Sequence, residues 1–406
     1  MNILFFSDNF PPERNAAASR VYERAAYWVT WGNQVTVITC APNFPDGKLF
    51  QGYKNKFYQT EIQSGIRVVR IKTFIAENKG FFLRILDSFS YIVPAMIAAF
   101  FQKKPDVIVA TTPSPFAAVA AWLVAKIRKI PFTLEVSDLW PASIVAVGAM
   151  RESFIIRLLE KLELFLYRQS KIIIVLSPAF KNNLIARSIP TDKIHVVMNG
   201  VDARRYFPRM RHAALAAHYH IKPDDFVVGY IGTHGMGHAL KNVLHAAQLL
   251  KDQPNIRFIF VGAGAERDSL MQLAQEKILT NVVFIAAQTK EMIADFWSLC
   301  NFALVHLKNS PVFSEVIPSK IFEAMGMGLP ILIAAPAGEA TLLVGDEKIG
   351  VIIPPEDPQA LADTIKHYQK NPFLLNVLAE KSYEASSKYS RERQAVLFLN
   401  VLNLAI

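Results

Sequence analysis

The chain is 406 residues long, more than one hydrophobic core usually serves, so two domains of ordinary size are expected. Its formal net charge of +10 favours an anionic partner, yet no zinc spacing, aromatic-basic RNA motif or Lys/Arg run supports nucleic acid. Cys40 and Cys300 lie far apart with no metal-ligand spacing to any His, which reads as buried thiols in a reducing compartment.

The first residues, MNILFFSDNF, carry no basic leader and read at once as a strand, so a cytoplasmic protein is expected. Short apolar, β-branched runs then alternate with longer helical patterns. Strands are expected at residues 3–6, 35–39, 66–71, 107–110, 132–136, 172–176 and 195–198, and again at 227–231, 257–261, 282–285, 302–305, 331–334 and 351–353. Such alternation means α/β architecture, with parallel sheets covered by helices on both faces. The turn Asn199-Gly200-Val201-Asp202 marks the break, giving a first domain over 1–205, a second over 206–385, and a last helix over 386–406 that packs back on the first. Ligands of such sheets gather beyond the carboxyl ends of the strands, which makes the loops there the places to search.

In the first loop, Pro12, Glu13, Arg14 and Asn15 precede a helix that begins near Ala16 and are candidates to touch an acceptor. Residues 79–104, KGFFLRILDSFSYIVPAMIAAFFQKK, are too short an apolar run to span a bilayer and are interrupted by Pro94. With Lys79, Arg84, Lys103 and Lys104 at its ends, residues 81–101 suit either a membrane interface or a helix packed under the first sheet. Asp138 and Trp140, just past the strand at 132–136, suit a substrate-positioning carboxylate or proton acceptor beside an aromatic platform; the alternative is an Asp capping the next helix. After the strand at 227–231, GTHGMG begins with Gly232, Thr233 and His234, whose small residues let backbone amides approach phosphates. It lacks the third glycine of a dinucleotide fingerprint. Gly262 and Gly264 also follow a strand.

The most informative stretch is VFSEVIPSKIFEAMGMGLPILI, residues 312–333. Pro318 fits the first position of a helix, Ile321, Phe322 and Met325 recur at helical spacing, and Gly326 and Gly328 supply a stop. Lys320 then sits in the first turn, where a cation opposes the helix dipole unless an anion answers it. Ser319 and Lys320 therefore point to a phosphate or diphosphate, and Glu315 and Glu323 to neutral sugar hydroxyls beside it, which together describe a nucleotide-sugar. The plainer alternative is a solvated helix face.

These stretches, FPPER at 10–14, PNFPDG at 42–47, DLWP at 138–141, NGVD at 199–202, GTHGMG at 232–237, VGAG at 261–264 and PSKIFE at 318–323, together resemble the retaining glycosyltransferases of the GT-B fold with a Glu-x7-Glu motif, glycosyltransferase family 4. The resemblance is strongest to the WbuB-like or WcaI-like branch that builds O-antigen, capsule and exopolysaccharide. It implies two facing doubly wound, Rossmann-like domains with an interdomain cleft. It implies that Glu323 holds the ribose, Glu315 the donor sugar, and Ser319 and Lys320 the diphosphate, with the backbone at Gly232 and Thr233 facing the same phosphates and Gln288 beside the base. No metal or other cofactor is implied. The implied reaction moves a hexose or acetamido-deoxyhexose, from a UDP-sugar above all, to a polyprenyl-diphosphate-linked saccharide at the inner face of the cytoplasmic membrane. Relatives place Arg where this chain has Thr233, and His where it has Ser137. Lys320, aided by His234 or His238, is expected to carry the phosphate charge, and Asp138 to serve the acceptor side. An epimerase of the same architecture and a non-catalytic nucleotide-sugar-binding assembly protein are the other readings.

Overall fold

The computed structural model describes residues 1–13, 15–44, 47–75, 86–87, 89–112, 114–146 and 153–406, and divides into two compact units, residues 1–198 with 391–406, and residues 199–390. The division falls after Met198, earlier than the 205/206 boundary expected from the turn, and the returning segment begins at Arg391 rather than at 386.

The first unit holds an eight-stranded sheet of β1 (Asn2–Phe6), β2 (Gln34–Cys40), β3 (Tyr58–Gln63), β4 (Ile66–Ile71), β5 (Val107–Thr111), β6 (Phe132–Val136), β7 (Ile172–Val175) and β8 (Ile194–Val196), in the order β3-β4-β2-β1-β5-β6-β7-β8. β5, β6 and β7 are buried along their whole length, as strands covered on both faces must be, which is why their β-branched runs were readable. β3 was not: YQTEIQ carries no apolar run, alternates exposed with half-buried residues, and pairs antiparallel with β4 at the edge.

Six helices are described between these strands: α1 (Ala16–Thr30), α2 (Ile92–Phe100), α3 (Pro115–Arg128), α4 (Ala142–Ala146), α5 (Phe154–Gln169) and α6 (Pro178–Ala186). Their starts follow capping chemistry. Asn15 accepts from the Ala18 amide at 2.8 Å, Ser177 caps α6 ahead of Pro178, and Pro115 takes an early position in α3. α2 buries Ala95, Ala98 and Ala99 while Val93 and Ile97 stand 63 % and 54 % exposed, so one face of the helix packs into the unit and the other is open. Residues 81–85 and 88 of that region lie outside the described residues. No helix among the described residues is long and apolar enough to cross a membrane.

The second unit has six parallel strands, β9 (Phe226–Ile231), β10 (Ile256–Val261), β11 (Val282–Ile285), β12 (Phe302–His306), β13 (Ile331–Ala334) and β14 (Gly350–Ile353), in the order β11-β10-β9-β12-β13-β14. The chain runs outward from β9 through β10 to β11, then returns to lay β12 on the other side of β9. The switch point of this sheet therefore lies at the carboxyl ends of β9 and β12. Its helices are α7 (Ala213–His218), α8 (Leu240–Leu249), α9 (Arg267–Glu276), α10 (Lys290–Trp297), α11 (Lys320–Gly326), α12 (Glu339–Asp346), α13 (Pro358–Lys370) and α14 (Pro372–Ser386).

The last helix, α15 (Arg391–Asn403), completes the first unit by packing on α1. Trp28 donates its indole N–H to the Ala395 carbonyl at 2.9 Å, Arg391 pairs with Glu23 at 3.0 Å, and the Arg24 guanidinium lies 3.7 Å from the Phe398 ring centre. Arg24 and Arg20 also hold Glu135, which is fully buried in β6. Burial alone would raise the Glu135 pKa, but the two guanidinium groups outweigh it and bring it down to about 2.

Candidate functional site

The expected helix N-terminus at Pro318 needs correction. α11 begins at Lys320 and has only seven residues, and its entry is tightened by bonds from the Ile321 amide to Pro318 and from the Phe322 amide to Ser319, at 3.1 Å each. So short a helix contributes little macrodipole. The charge of the site rests on the lysine itself.

Lys320 is 8 % exposed, and among the described residues its ammonium has no hydrogen-bond partner. The nitrogen lies 3.5 Å from the centre of the Tyr230 ring on β9 and faces Gly232, where a methyl group would stand 3.1 Å from it. A buried cation normally finds a carboxylate. Burial instead drives the Lys320 pKa down to about 7, with Glu323 opposing the shift. Such a group is set up for an anion brought from outside.

Three imidazoles surround Tyr230 and Lys320, and none carries charge. His234 is fully buried with neither ring nitrogen partnered, and burial, then Arg267 and Lys320, push its pKa to about 4. His238 and His306 each set a ring nitrogen against the other's backbone carbonyl, at 3.3 and 2.8 Å, and burial brings them to about 3 and about 4. The expectation that His234 or His238 shares the phosphate charge is corrected to one of neutral rings. His234 alone among the three has both ring nitrogens buried and without a partner among the described residues.

The strand-end turns press backbone on backbone. A methyl group on Gly262 would lie 1.9 Å from the Gly232 carbonyl, and one on Gly264 would lie 2.4 Å from the His234 carbonyl, both at positive φ. The His234 amide donates to Ala263, and the Glu266 amide returns the bond to His234 at 2.9 Å. Arg267, which the sequence reading passed over, follows directly at the start of α9. Glu323, in the first turn of α11, accepts from the Trp297 indole at 3.2 Å. Glu315 follows a 3-10 turn, Pro311–Ser314, wedged against Gly338, so Glu315 stands on a loop and Glu323 on the helix. Thr233 is exposed and offers its carbonyl to the Tyr230 hydroxyl, while Gln288 donates to Ala286 in the loop after β11.

In the first unit the acceptor candidates divide. Glu13 is buried and accepts from the Phe10, Asn43 and Phe44 amides at 3.3, 2.9 and 3.0 Å, which makes it a clamp for two loops rather than a free ligand. Its pKa is nonetheless raised by burial to about 6. Asn15 caps α1 and donates to Asn9, so it too serves the fold. Arg14 lies outside the described residues. Pro12 is half-buried. Asp138 accepts from the Ser143 hydroxyl of α4 at 3.0 Å, a side-chain contact rather than a cap on a helix amide, and burial raises its pKa. Trp140 lines a small apolar pocket with Leu134 and Tyr167, and the Ser137 hydroxyl is bonded to Thr112.

Comparison with known proteins gives two family matches. The model described as Glycosyltransferase Family 4 matches residues 17–205, and that described as glycosyl transferases group 1 matches residues 214–393. The Escherichia coli K12 protein named for colanic acid biosynthesis, glycosyl transferase WcaI, is 24 % identical over 90 % of this chain and 91 % of its own. Sucrose-phosphate synthase from Thermosynechococcus elongatus superposes with a TM-score of 0.79 at 18 % identity, covering 99 % of this chain and 98 % of that one. Anabaena Alr3699/HepE in complex with UDP-glucose gives 0.74 at 17 % identity and 99 % of both chains, which establishes a shared fold.

Proposed function

Because the chain belongs to the GT-B glycosyltransferases built from a family 4 unit and a group 1 unit, related to those that make bacterial surface polysaccharides, we propose that it transfers a hexose or acetamido-deoxyhexose from a UDP-sugar to a lipid-linked saccharide with retention at the anomeric carbon. The observation that carries this reading is Lys320, a buried ammonium with no partner at the switch point of the second sheet, facing a glycine turn.

In this reading the donor diphosphate fills the space before Lys320, against Ser319 and the backbone at Gly232, Thr233, Gly262 and Gly264, with His234 donating an imidazole N–H. Glu323 receives the ribose hydroxyls, Glu315 those of the donor sugar, and Gln288 lies beside the base. As the bond from the anomeric carbon to the diphosphate oxygen breaks, negative charge grows on that oxygen and Lys320 stabilises it. The leaving diphosphate takes the proton of the acceptor hydroxyl as the new glycosidic bond forms on the same face of the sugar. Asp138, Trp140 and Pro12 remain the acceptor-side candidates. UDP is favoured because the Anabaena neighbour was solved with UDP-glucose.

A lipid-linked acceptor at the membrane surface is supported by the open face of the first unit. Phe89, Val93, Ile97 and Phe101, at steps of four residues, are each more than half exposed, beside Lys103 and Lys104. An apolar hollow of about 540 Å³ lies in the same unit between Leu49, Phe57, Phe74 and Lys72.

Thermal shift with UDP, GDP, dTDP and ADP on wild type and Lys320→Ala tests the donor site, and the anomeric configuration of the product tests retention. A shift with one nucleotide that vanishes in the variant is expected. Wild-type turnover by Lys320→Ala would overturn the assignment, and donor turnover without acceptor would favour the epimerase reading.

A further inference from the structure

We propose that Arg267 is the second cation of the donor site, gripping the diphosphate from the β10 side while Lys320 grips it from the β9 side. This rests on the donor reading above and adds a residue that neither the family motif nor the helix at Lys320 pointed to.

A nucleoside diphosphate brings more than one negative charge to a place where Lys320 is a buried, unpartnered ammonium and burial keeps the three imidazoles neutral. Thr233, in the turn after β9, brings no charge. Arg267 is placed to supply it from the neighbouring turn. The Glu266 amide is bonded to the His234 carbonyl at 2.9 Å, and the Arg267 amide to the Gly264 carbonyl at 3.1 Å, so the start of α9 is fastened to the strand-end loops that press against Gly232. Its field reaches His234, whose protonated form it disfavours together with Lys320. The unpartnered imidazole thus lies under the influence of two cations.

No described residue pairs with the charge of Arg267. Among the described residues it makes no ion pair; its Nε is buried without a partner, and its Nη1 meets only the Met271 thioether, a weak acceptor, at 2.9 Å. The neighbouring Glu266 has a buried carboxylate oxygen that is likewise unpartnered and does not pair with it. The structural arginines of the first unit bond a carboxylate or a carbonyl, as Arg24, Arg70 and Arg391 do, whereas half-buried Arg267 bonds neither among the described residues. An arginine whose Nε has no partner and whose Nη1 meets only a thioether, next to the glycine turn at Gly262 and Gly264, is placed to take an oxyanion.

The test is UDP affinity by calorimetry at low and high salt for wild type, R267Q and R267K, with unfolding of each variant followed in the absence of ligand. R267Q is expected to weaken UDP by about ten- to hundredfold at low salt, the worth of one charged hydrogen-bonding contact. Its affinity should also depend less on salt than the wild type's, and R267K should restore most of both, since it keeps the charge. Wild-type affinity in R267Q overturns the proposal, as does equal loss in R267Q and R267K with an unchanged salt dependence, which marks a packing role. If wild type itself binds none of UDP, GDP, dTDP and ADP, the donor reading falls and this assignment with it; binding that survives R267Q removes only Arg267.

Discussion

Lys320 is an expensive residue for the empty protein. In the unfolded chain it titrates near 10.5 and in the folded one near 7, so between those values the unfolded chain binds more protons and stability rises with pH, while below about pH 7 the burial penalty is felt in full. Lys320→Met, which keeps the volume and removes the charge, is therefore expected to melt higher than wild type at or below neutral pH, by on the order of a few kcal/mol. That advantage should shrink as pH climbs towards 10.5, and UDP binding should be lost throughout. A lower melting point for the variant near neutral pH would mean the lysine is already paired. UDP binding at roughly pH 8 should also draw a proton from the buffer, because the diphosphate restores the charge that burial removed. Calorimetry in two buffers of different ionisation enthalpy reads this, and Lys320→Arg, charged at every pH, should abolish the uptake. Lys320 was legible because it breaks a local rule, a cation in a helix's first turn. Arg267 breaks the same rule at the start of α9, but with Glu266 and Asp268 on either side it reads as part of a solvated helix start. The histidines misled for a different reason: whether an imidazole is charged depends on burial, which no motif records.

Strands buried on both faces announced themselves through β-branched runs, and all of the expected ones formed; β3, a polar edge strand, had no such signal. The start of α11 moved because Pro318 was taken for the first helical residue, whereas the chain closes a tighter turn around Ser319 before the helix proper. Least legible was the contact of one strand-end turn with another, which depends on sheet order. That contact is testable. Gly262→Ala places a methyl group 1.9 Å from a carbonyl at a φ of +152° and should destabilise the second unit by about 1–3 kcal/mol and weaken UDP. Gly235→Ala meets nothing nearer than 3.5 Å and serves as the control in the same denaturant titration.

At the scale of the whole chain, the two alternating sets of strands and helices foretold two α/β units, and the departure of the boundary follows from where the turn at Asn199 belongs. Val201 bridges to Ser390, so this segment opens the second unit rather than closing the first. Ending the chain at Ser390 is expected to strip α15 from α1, taking the Ala395 carbonyl from the Trp28 indole and Arg391 from Glu23. Loss of the first unit's cooperative unfolding, read by tryptophan fluorescence, should accompany a preserved UDP shift from the second. An unchanged unfolding profile would show that α15 is an ornament of the first unit. The interruption of one unit by the other also bears on synthesis. As the chain leaves the ribosome, β1 to β8 emerge with α1 but without the helix that covers it, and the entire second unit must be translated first. At ordinary elongation rates that interval is roughly ten to forty seconds, during which Trp28 and the apolar side of α1 lie open to chaperones.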